Sequence, residues 1–361
     1  MRNSNEESAV ARLCREFAEG GHFPRYLLGR TPPYATSVPG AVDGRLDGVL
    51  DEFTKNNTAM GLPVVHSISA LPPGAVVLSA AMLNPTTARR KLDAAGVRCI
   101  EYYSMLRHCP ERPFRKVIFW EGFRESWATR RAEYDALEAR LSDGESKDVL
   151  RRLIAFRLTG DIGAMDCFTP REKEQYFEDF LGLVRCHSFA DVGGFDGYTS
   201  AEFAKRCPDY RKIWFFEPEE RNLVAARVAL AGLERIEWCT VAASDRAGEL
   251  RFSPSADASK VSADGDVVVK AGKIDDFVPR GWPDLFMKMD IEGAEGTALA
   301  GAAETIRTCH PVLAIAVYHK GADLIDIPKQ VLSYCNGYRL FLRHYTEGLS
   351  ETDMFFVPEE R

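Results

Sequence analysis

The segment Phe189-Ala-Asp191-Val-Gly193-Gly194-Phe195-Asp196-Gly197-Tyr198-Thr199 constrains this chain more than any other. It reads as a short strand that ends in an acid and turns through glycines into a helix. Glycines are needed where the backbone takes unusual dihedrals or a ligand comes close. The pattern opens the nucleotide-binding half of doubly wound α/β folds, although the same turn also serves for tight packing alone. The spacing is Asp-x-Gly-x-x-x-Gly, with Phe195 where a dinucleotide site has its middle glycine. That argues against a cofactor whose pyrophosphate rests on the helix start. A phosphate-free nucleoside such as S-adenosylmethionine suits an acid-bearing loop better.

Ile213-Trp-Phe-Phe-Glu217-Pro218 is an apolar run ending in a glutamate, twenty residues beyond Gly197. An acid at the end of the second strand can grip a ribose diol. The alternative is a helix-capping glutamate at an ordinary strand end.

A chain of 361 residues holds one large or two ordinary domains. Apolar content of 45%, charged content of 27% and a net charge of −7 leave no basic footprint for nucleic acid. No segment has the length and purity of a membrane span, and the start lacks a signal-peptide core, so a cytoplasmic location without membrane insertion is expected. The nine cysteines include no Cys-x-x-Cys pair and read as reduced thiols, Cys167 and Cys207 among them as filler. A zinc site is not expected.

Three regions follow from alternating strand and helix signals. Residues 1–120 are expected to form a small α/β domain with strands at 25–28, 46–50, 63–65, 75–79, 98–102 and 117–120 and a helix near 86–95. Residues 121–185 are a charged helical connector, with Arg131/Asp135 on a solvated face. It either packs the two α/β units together or contributes to the interface of a homo-oligomer, and Arg157 and Tyr176 are candidates to overhang a pocket. Residues 186–361 are expected to form a doubly wound sheet of seven strands at 188–192, 213–217, 236–242, 285–290, 312–318, 338–343 and 354–357. The last two are too close for a helical crossover and should pair antiparallel.

Leu285-Phe-Met-Lys288-Met-Asp290-Ile-Glu292-Gly293-Ala-Glu295 is the second dense motif. A lysine inside a buried parallel strand needs an acid or a ligand, so Lys288 is either a site residue or half of a structural ion pair. Asp290 falls at the carboxyl end of its strand. Glu292 and Glu295 begin the next helix, where acids suit the dipole, and Glu295 is read as a first-turn acid. His319 and His344 close the last parallel strand and the one after it, and each is a site histidine or a structural one. Ser244 and Asp245 follow the third strand, near an adenine edge, unless Asp245 only opens the turn to Gly248.

Taken together, Asp191-Val-Gly-Gly-Phe-Asp-Gly197, Phe216-Glu-Pro218, Val241-Ala-Ala-Ser-Asp245, Ile274-Asp-Asp276, Lys288-Met-Asp-Ile-Glu-Gly-Ala-Glu295 and Tyr318-His-Lys320 resemble the FkbM family of S-adenosylmethionine-dependent methyltransferases, over about residues 171–358. The family's loop has a small and a polar residue where this chain has Gly194 and Phe195. The amino-terminal unit resembles, more weakly, a Rossmann-like domain found in some members from surface-polysaccharide clusters.

The resemblance implies O-methylation of a sugar hydroxyl or of a polyketide-type natural product, with a small-molecule or glycan acceptor. It places the donor on Asp191, Gly193, Gly197, Tyr198, Glu217, Ser244 and Asp245. The base is Asp290 or His319, with Lys288 placing Asp290; alternatively Asp290 and Glu292 hold Mg²⁺. A catalytically silent scaffold and a dehydrogenase are the competing readings. The intact acids and histidine count against the first, and the glycine spacing against the second.

Overall fold

Short apolar runs alternating with helices build two mainly parallel sheets. The computed structural model describes residues 8–29, 33–117, 120, 122–253, 260–261 and 267–359. The chain divides into two compact units, one of Met1–Glu121, Arg151–Arg171 and Tyr345–Leu349, the other of Gly122–Leu150, Glu172–His344 and Ser350–Arg361.

The first unit opens with helix α1 (Ala9–Ala18), capped by the Ser8 hydroxyl on the Ala11 N–H. Its strands are β1 (Arg25–Leu28), β2 (Gly48–Leu50), β3 (Thr58–Ala59), β4 (Leu62–Val65), β5 (Val76–Ser79) and β6 (Arg98–Glu101), with helices α2 (Tyr34–Ala41), α3 (Pro85–Ala94) and α4 (Tyr102–His108). The sheet order is β3-β4-β2-β1-β5-β6, parallel apart from the β3–β4 pair. Successive residues feed opposite faces: Leu27, Val76 and Leu78 join one core, Tyr26 and Val77 the other. Burial on both faces is what a helix-covered parallel sheet requires. The strand expected at 117–120 lies partly outside the described residues, and Val117 itself is not in a strand.

The expected connector is not a body of its own. Helices α5 (Phe123–Thr129) and α6 (Arg131–Arg140) belong to the second unit, and α7 (Gly144–Thr159) is shared between the units. Phe156 stacks on Trp120 and meets Tyr103 edge-on within the first unit. In the second unit Ser142 and Ser146 accept the N–H groups of Leu340 and Leu342, and Asp143 pairs with Arg343 at 2.7 Å. These side chains divide the stretch: the first boundary falls at 121/122, beside the expected 120/121, whereas the connector expected to run to 185 is split at 150/151 and 171/172. Arg131 and Asp135 do form the exposed pair expected of them, at 3.0 Å.

The second unit contains β7 (Ser188–Val192), α8 (Tyr198–Arg206), β8 (Lys212–Phe216), α9 (Glu220–Ala229), β9 (Ile236–Cys239), β10 (Ala242–Ala243), β11 (Gly248–Ser253), β12 (Lys260–Val261), β13 (Val267–Gly272), β14 (Leu285–Met289), α10 (Glu295–Ala300), α11 (Ala303–Cys309), β15 (Val312–Ala316), α12 (Asp323–Tyr334), β16 (Tyr338–His344) and β17 (Thr352–Pro358). Its seven-stranded sheet runs β16-β17-β15-β14-β7-β8-β9, and β17 is antiparallel to both neighbours, as the short β16–β17 connection requires. The single strand expected at 236–242 is two. Val241 N–H bonds back to Cys239 O at 2.8 Å, and the turned chain leaves the main sheet. β10 pairs instead with β13 in a separate four-stranded sheet, β10-β13-β11-β12. Among the described residues no helix is long and apolar enough to cross a membrane.

Gly301, after α10, is wedged against this junction: a Cβ there would lie 1.9 Å from Ser244 O. Gly301→Ala is expected to destabilise the protein by about 2–3 kcal/mol through forced backbone displacement. Chemical denaturation checks this, and an unchanged midpoint would contradict the packing described.

Candidate active site

The carboxyl ends of β7, β8 and β14 meet at one tightly tied loop. The N–H groups of Gly193 and Gly194 both donate to Phe216 O at 3.0 Å, and Asp290 N–H donates to Val192 O at 3.1 Å. Gly193 has φ of 83°, and a Cβ on it would sit 2.0 Å from Asp290 O; a Cβ on Gly194 would meet the Phe215 ring at 2.3 Å. Close strand approach therefore accounts for both glycines.

Parallel register sets Lys288 directly opposite Asp191. The Lys288 ammonium lies 3.5 Å from Asp191 Oδ1 and donates to Gly193 O at 2.6 Å. Asp191 is fully buried and accepts from Ser200 Oγ of α8 at 2.7 Å. Burial raises its pKa, and the Lys288 charge and the Ser200 hydrogen bond oppose that shift.

Asp290 is held from other directions. Tyr176 donates to its Oδ2 at 2.9 Å, while Tyr318 Oη lies 3.4 Å from the same oxygen and 3.4 Å from Glu351 Oε1. Gln175 Nε2 reaches Glu351 at 2.8 Å and Asp353 at 2.9 Å. Burial, then the charge of Asp290, raises the pKa of both tyrosines well above its ordinary value, so both keep their protons. Burial also raises Glu351 to about 7 and Asp353 well above the carboxylate range, with Asp290 reinforcing each.

His319 sits beneath this group. Its Nδ1 is 2.9 Å from Glu295 Oε1, and its Nε2 is 3.4 Å from Asp290 and 3.5 Å from Glu292. Burial alone would lower its pKa, but the contact with Glu295 and the charges of Glu295, Asp290 and Glu292 raise it to about 10. His319 is thus an imidazolium at neutral pH, and Asp290 remains as the candidate base.

A cavity of about 600 Å³ runs across these strand ends, a size that suits a nucleoside-bearing small molecule. Gly193, Tyr198, Glu217, Lys288, Asp290 and Glu292 of the expected residues line it. Glu217 is fixed by accepting from Phe195 N–H at 3.1 Å and Glu219 N–H at 2.8 Å, and burial raises its pKa. Eight non-glycine residues have positive φ among the described residues, and four of them, Tyr176, Phe195, Glu292 and Glu351, line this cavity. Strained backbone of that kind persists where the surrounding structure fixes it, and it concentrates at functional sites.

Several expectations are corrected. Asp191 is not on the cavity wall, because it points under the loop to Ser200 and Lys288. Gly197 caps α8 and packs against Leu230, where a Cβ would lie 3.1 Å away. Ser244 is buried against Gly301 and Asp245 faces Arg246, so Val241, Ala242 and Ala243 form that wall instead. Lys288 holds Asp191 and Gly193, not Asp290. His319 lies behind the wall, and His344 is buried against Thr352 at 2.8 Å. Arg157 is fully buried in the first unit, whereas Tyr176 does line the cavity. Glu295, read as a first-turn acid, is the buried partner of His319. Sequence reasoning missed Gln175, Glu351 and Asp353; the two acids just before the apolar run Met354–Val357 were the available signal.

The residues do not fit Mg²⁺. One ligand atom each of Asp290, Glu295 and His319 lie within 4.8 Å of one another. His319, whose ring nitrogens face Glu295, Asp290 and Glu292, offers nitrogen, whereas Mg²⁺ requires octahedral oxygen donors. The imidazolium occupies the place between the acids that a cation would take.

The seven-stranded order with an antiparallel strand inserted beside the edge is that of the methyltransferase fold. The crystal structure of the methyltransferase FkbM from Methylobacillus flagellatus KT superposes with a TM-score of 0.76 at 21% identity, covering 97% of this chain and 93% of that one. More particularly, residues 191–346 match the Methyltransferase FkbM domain. The 2-O-methyltransferase NoeI of Sinorhizobium fredii (strain NBRC 101917 / NGR234) is 28% identical over 140 residues, 32% of this chain. The match spans 57% of that relative's length.

Two outcomes follow from this geometry. Lys288→Ala leaves the Asp191 carboxylate buried and uncompensated and is expected to cost about 3–5 kcal/mol in denaturant unfolding; a loss below about 1 kcal/mol would contradict the pairing. His319 has a folded pKa near 10 against an ordinary 6.5, so its stabilising contribution is complete below pH 6.5 and disappears as pH rises toward 10. Stability should fall between pH 7 and 9 in the wild type and fall less in His319→Gln. Equal slopes would show that His319 is neutral when folded.

Proposed function

We propose that this chain is an S-adenosylmethionine-dependent O-methyltransferase acting on a sugar hydroxyl of a polysaccharide or glycolipid precursor. The observation that carries the reading is one cavity with a fixed glutamate, Glu217, at its β8 edge and a carboxylate, Asp290, at its β14 edge. Glu217 offers the paired acceptor contacts that a ribose diol needs. The cavity lining includes six acids, Asp196, Glu217, Glu219, Asp290, Glu292 and Glu351, against Lys288 and Arg221. That excess favours a cationic donor and disfavours an anionic acceptor.

When bound, S-adenosylmethionine supplies an electrophilic methyl group on a sulfonium. The chain's own residues then align the acceptor and keep the site dry, the main demands of an in-line displacement. Asp290, oriented by Tyr176, Tyr318 and His319, takes the hydroxyl proton as the new oxygen–carbon bond forms. Glu351 and Tyr318, adjoining Asp290, offer polar contacts to a neighbouring hydroxyl, which supports a polyol acceptor. The NoeI relative's name, a 2-O-methyltransferase, supports oxygen as the methylated atom.

Calorimetric titration with S-adenosylhomocysteine, paired with labelled-methyl transfer to a panel of methyl glycosides, tests the reading. Glu217→Ala is expected to weaken ligand binding by about 1–3 kcal/mol. Asp290→Asn is expected to leave binding intact and slow transfer by about 10²–10⁴-fold. Undiminished transfer in Asp290→Asn would remove the base assigned here.

A further inference from the structure

Glu347 places a carboxylate where helix α3 begins. Its Oε2 accepts from the Thr87 N–H at 2.8 Å and its Oε1 from the Thr87 hydroxyl. The residue is almost fully buried there. Burial would raise its pKa, but the hydrogen bonds from Thr87, then Thr86 and the charge of Arg90, hold the carboxyl below its ordinary value. An anion at a helix N-terminus also meets the positive end of the helix dipole. The next residue is wedged as well: a Cβ on Gly348 would lie 2.5 Å from Met82 O. All of these residues belong to the first unit.

The chain passes from this unit to the second at 171/172 and again at 349/350. The two departing segments are tied to each other. Arg171 N–H donates to Tyr345 O at 2.9 Å, and the Arg171 guanidinium lies 4.9 Å from the centre of the buried Tyr345 ring. Gln175 and Tyr176 follow the first departure and Glu351 the second, and all three line the cavity. Tyr176 and Glu351 do so with φ of 68° and 60°, left-handed backbone that persists only where the surrounding structure fixes it. On one side of Glu351, β17 begins at Thr352; on the other, Glu347 stands four residues upstream. A tether of that length reaches about 14 Å at most, so it has little slack to absorb a shift of Glu347.

We infer that Glu347 is a positioning residue for methyl transfer: held on α3, it sets where Glu351 stands in the cavity, and through Glu351 how the acceptor is seated beside Asp290. The inference rests on the acceptor reading proposed above. Glu351 accepts from Gln175 and lies 3.4 Å from Tyr318 Oη, so displacing it loosens the polar contacts offered to a hydroxyl next to the reacting one. Glu217, at the β8 edge of the cavity, is fixed by the amides of Phe195 and Glu219 in its own unit, so donor binding does not share the effect.

Labelled-methyl transfer to the methyl glycosides, with S-adenosylhomocysteine titration alongside, tests this in wild type, Glu347→Ala, Glu347→Gln, Glu351→Ala and the variant combining Glu347→Ala with Glu351→Ala. Glu347→Ala is expected to lower kcat/KM for the glycoside by about tenfold or more, mostly through KM, and to leave S-adenosylhomocysteine affinity unchanged. Glutamine still accepts from the Thr87 N–H, so Glu347→Gln is expected to recover most of the loss. Added to Glu351→Ala, the Glu347→Ala change is expected to cost nothing further. Should Glu347→Ala fail to fold, Thr87→Val and Thr87→Ser carry the same test: valine lacks the hydroxyl that Glu347 accepts from and should raise KM, whereas serine keeps it and should not. An unchanged glycoside KM, an effect that adds in full to that of Glu351→Ala, or an equal loss of donor affinity would overturn the inference and leave the methyltransferase reading standing. A merely structural Glu347 gives that pattern, because a smaller folded fraction lowers the apparent kcat and not KM. No transfer by the wild type to any glycoside would overturn the sugar reading and this role with it.

Discussion

An ammonium group 3.5 Å from a fully buried carboxylate, on two adjacent parallel strands, sets the geometry on which the rest of the site depends. The same ammonium holds Gly193 O, so one charge ties β14 to both the end of β7 and the loop beyond it. Burying such a pair is costly, and its retention is explained by what it fixes more than by stability. With Lys288 in place, the glycine loop approaches Asp290 closely enough that no Cβ is tolerated at Gly193. The cavity lies across that junction, with Asp290 just past the end of β14 and Glu217 just past the end of β8, the strand paired with the other side of β7.

The acid end is organised by proton occupancy as much as by distance. Tyr176 and Tyr318 stay protonated and orient Asp290, burial raises Glu351 to about 7, and burial also raises Asp353 well above its ordinary value. His319 answers the negative charge of Asp290, Glu292 and Glu295 from below. Of the two bases the sequence left open, the histidine lies behind the cavity wall and the aspartate lines the cavity. The imidazolium also removes the need for Mg²⁺ as the counter-charge of these acids.

Much of this was legible in the sequence because the relevant signals are local. Apolar runs ended by Asp191, Glu217 and Asp290 mark parallel strands with acids at their carboxyl ends, and the short spacing before Thr352 requires an antiparallel closing strand. What was not legible depends on side-chain direction. Asp191 reads as a ligand acid, yet the pleat turns it under the loop toward Ser200. Ser244 and Asp245 follow a strand end, yet the turn at Val241 sends them into another sheet. The seven expected strands left that sheet out, although the alternation Glu249-Leu250-Arg251-Phe252 and the Val267-Val268-Val269 run have the period and composition of strands. Glu351 and Asp353 lie about sixty residues from Asp290 in sequence, and only the placement of β17 beside β15 brings them to it.

The central claim is that a methyl donor spans the cavity from Glu217 toward Asp290. A crystal structure of the protein with S-adenosylhomocysteine tests it most directly. The account predicts the ribose hydroxyls on the Glu217 carboxylate and the sulfur directed toward Asp290. Ligand bound with its ribose away from Glu217, or with its sulfur turned from Asp290, would contradict it.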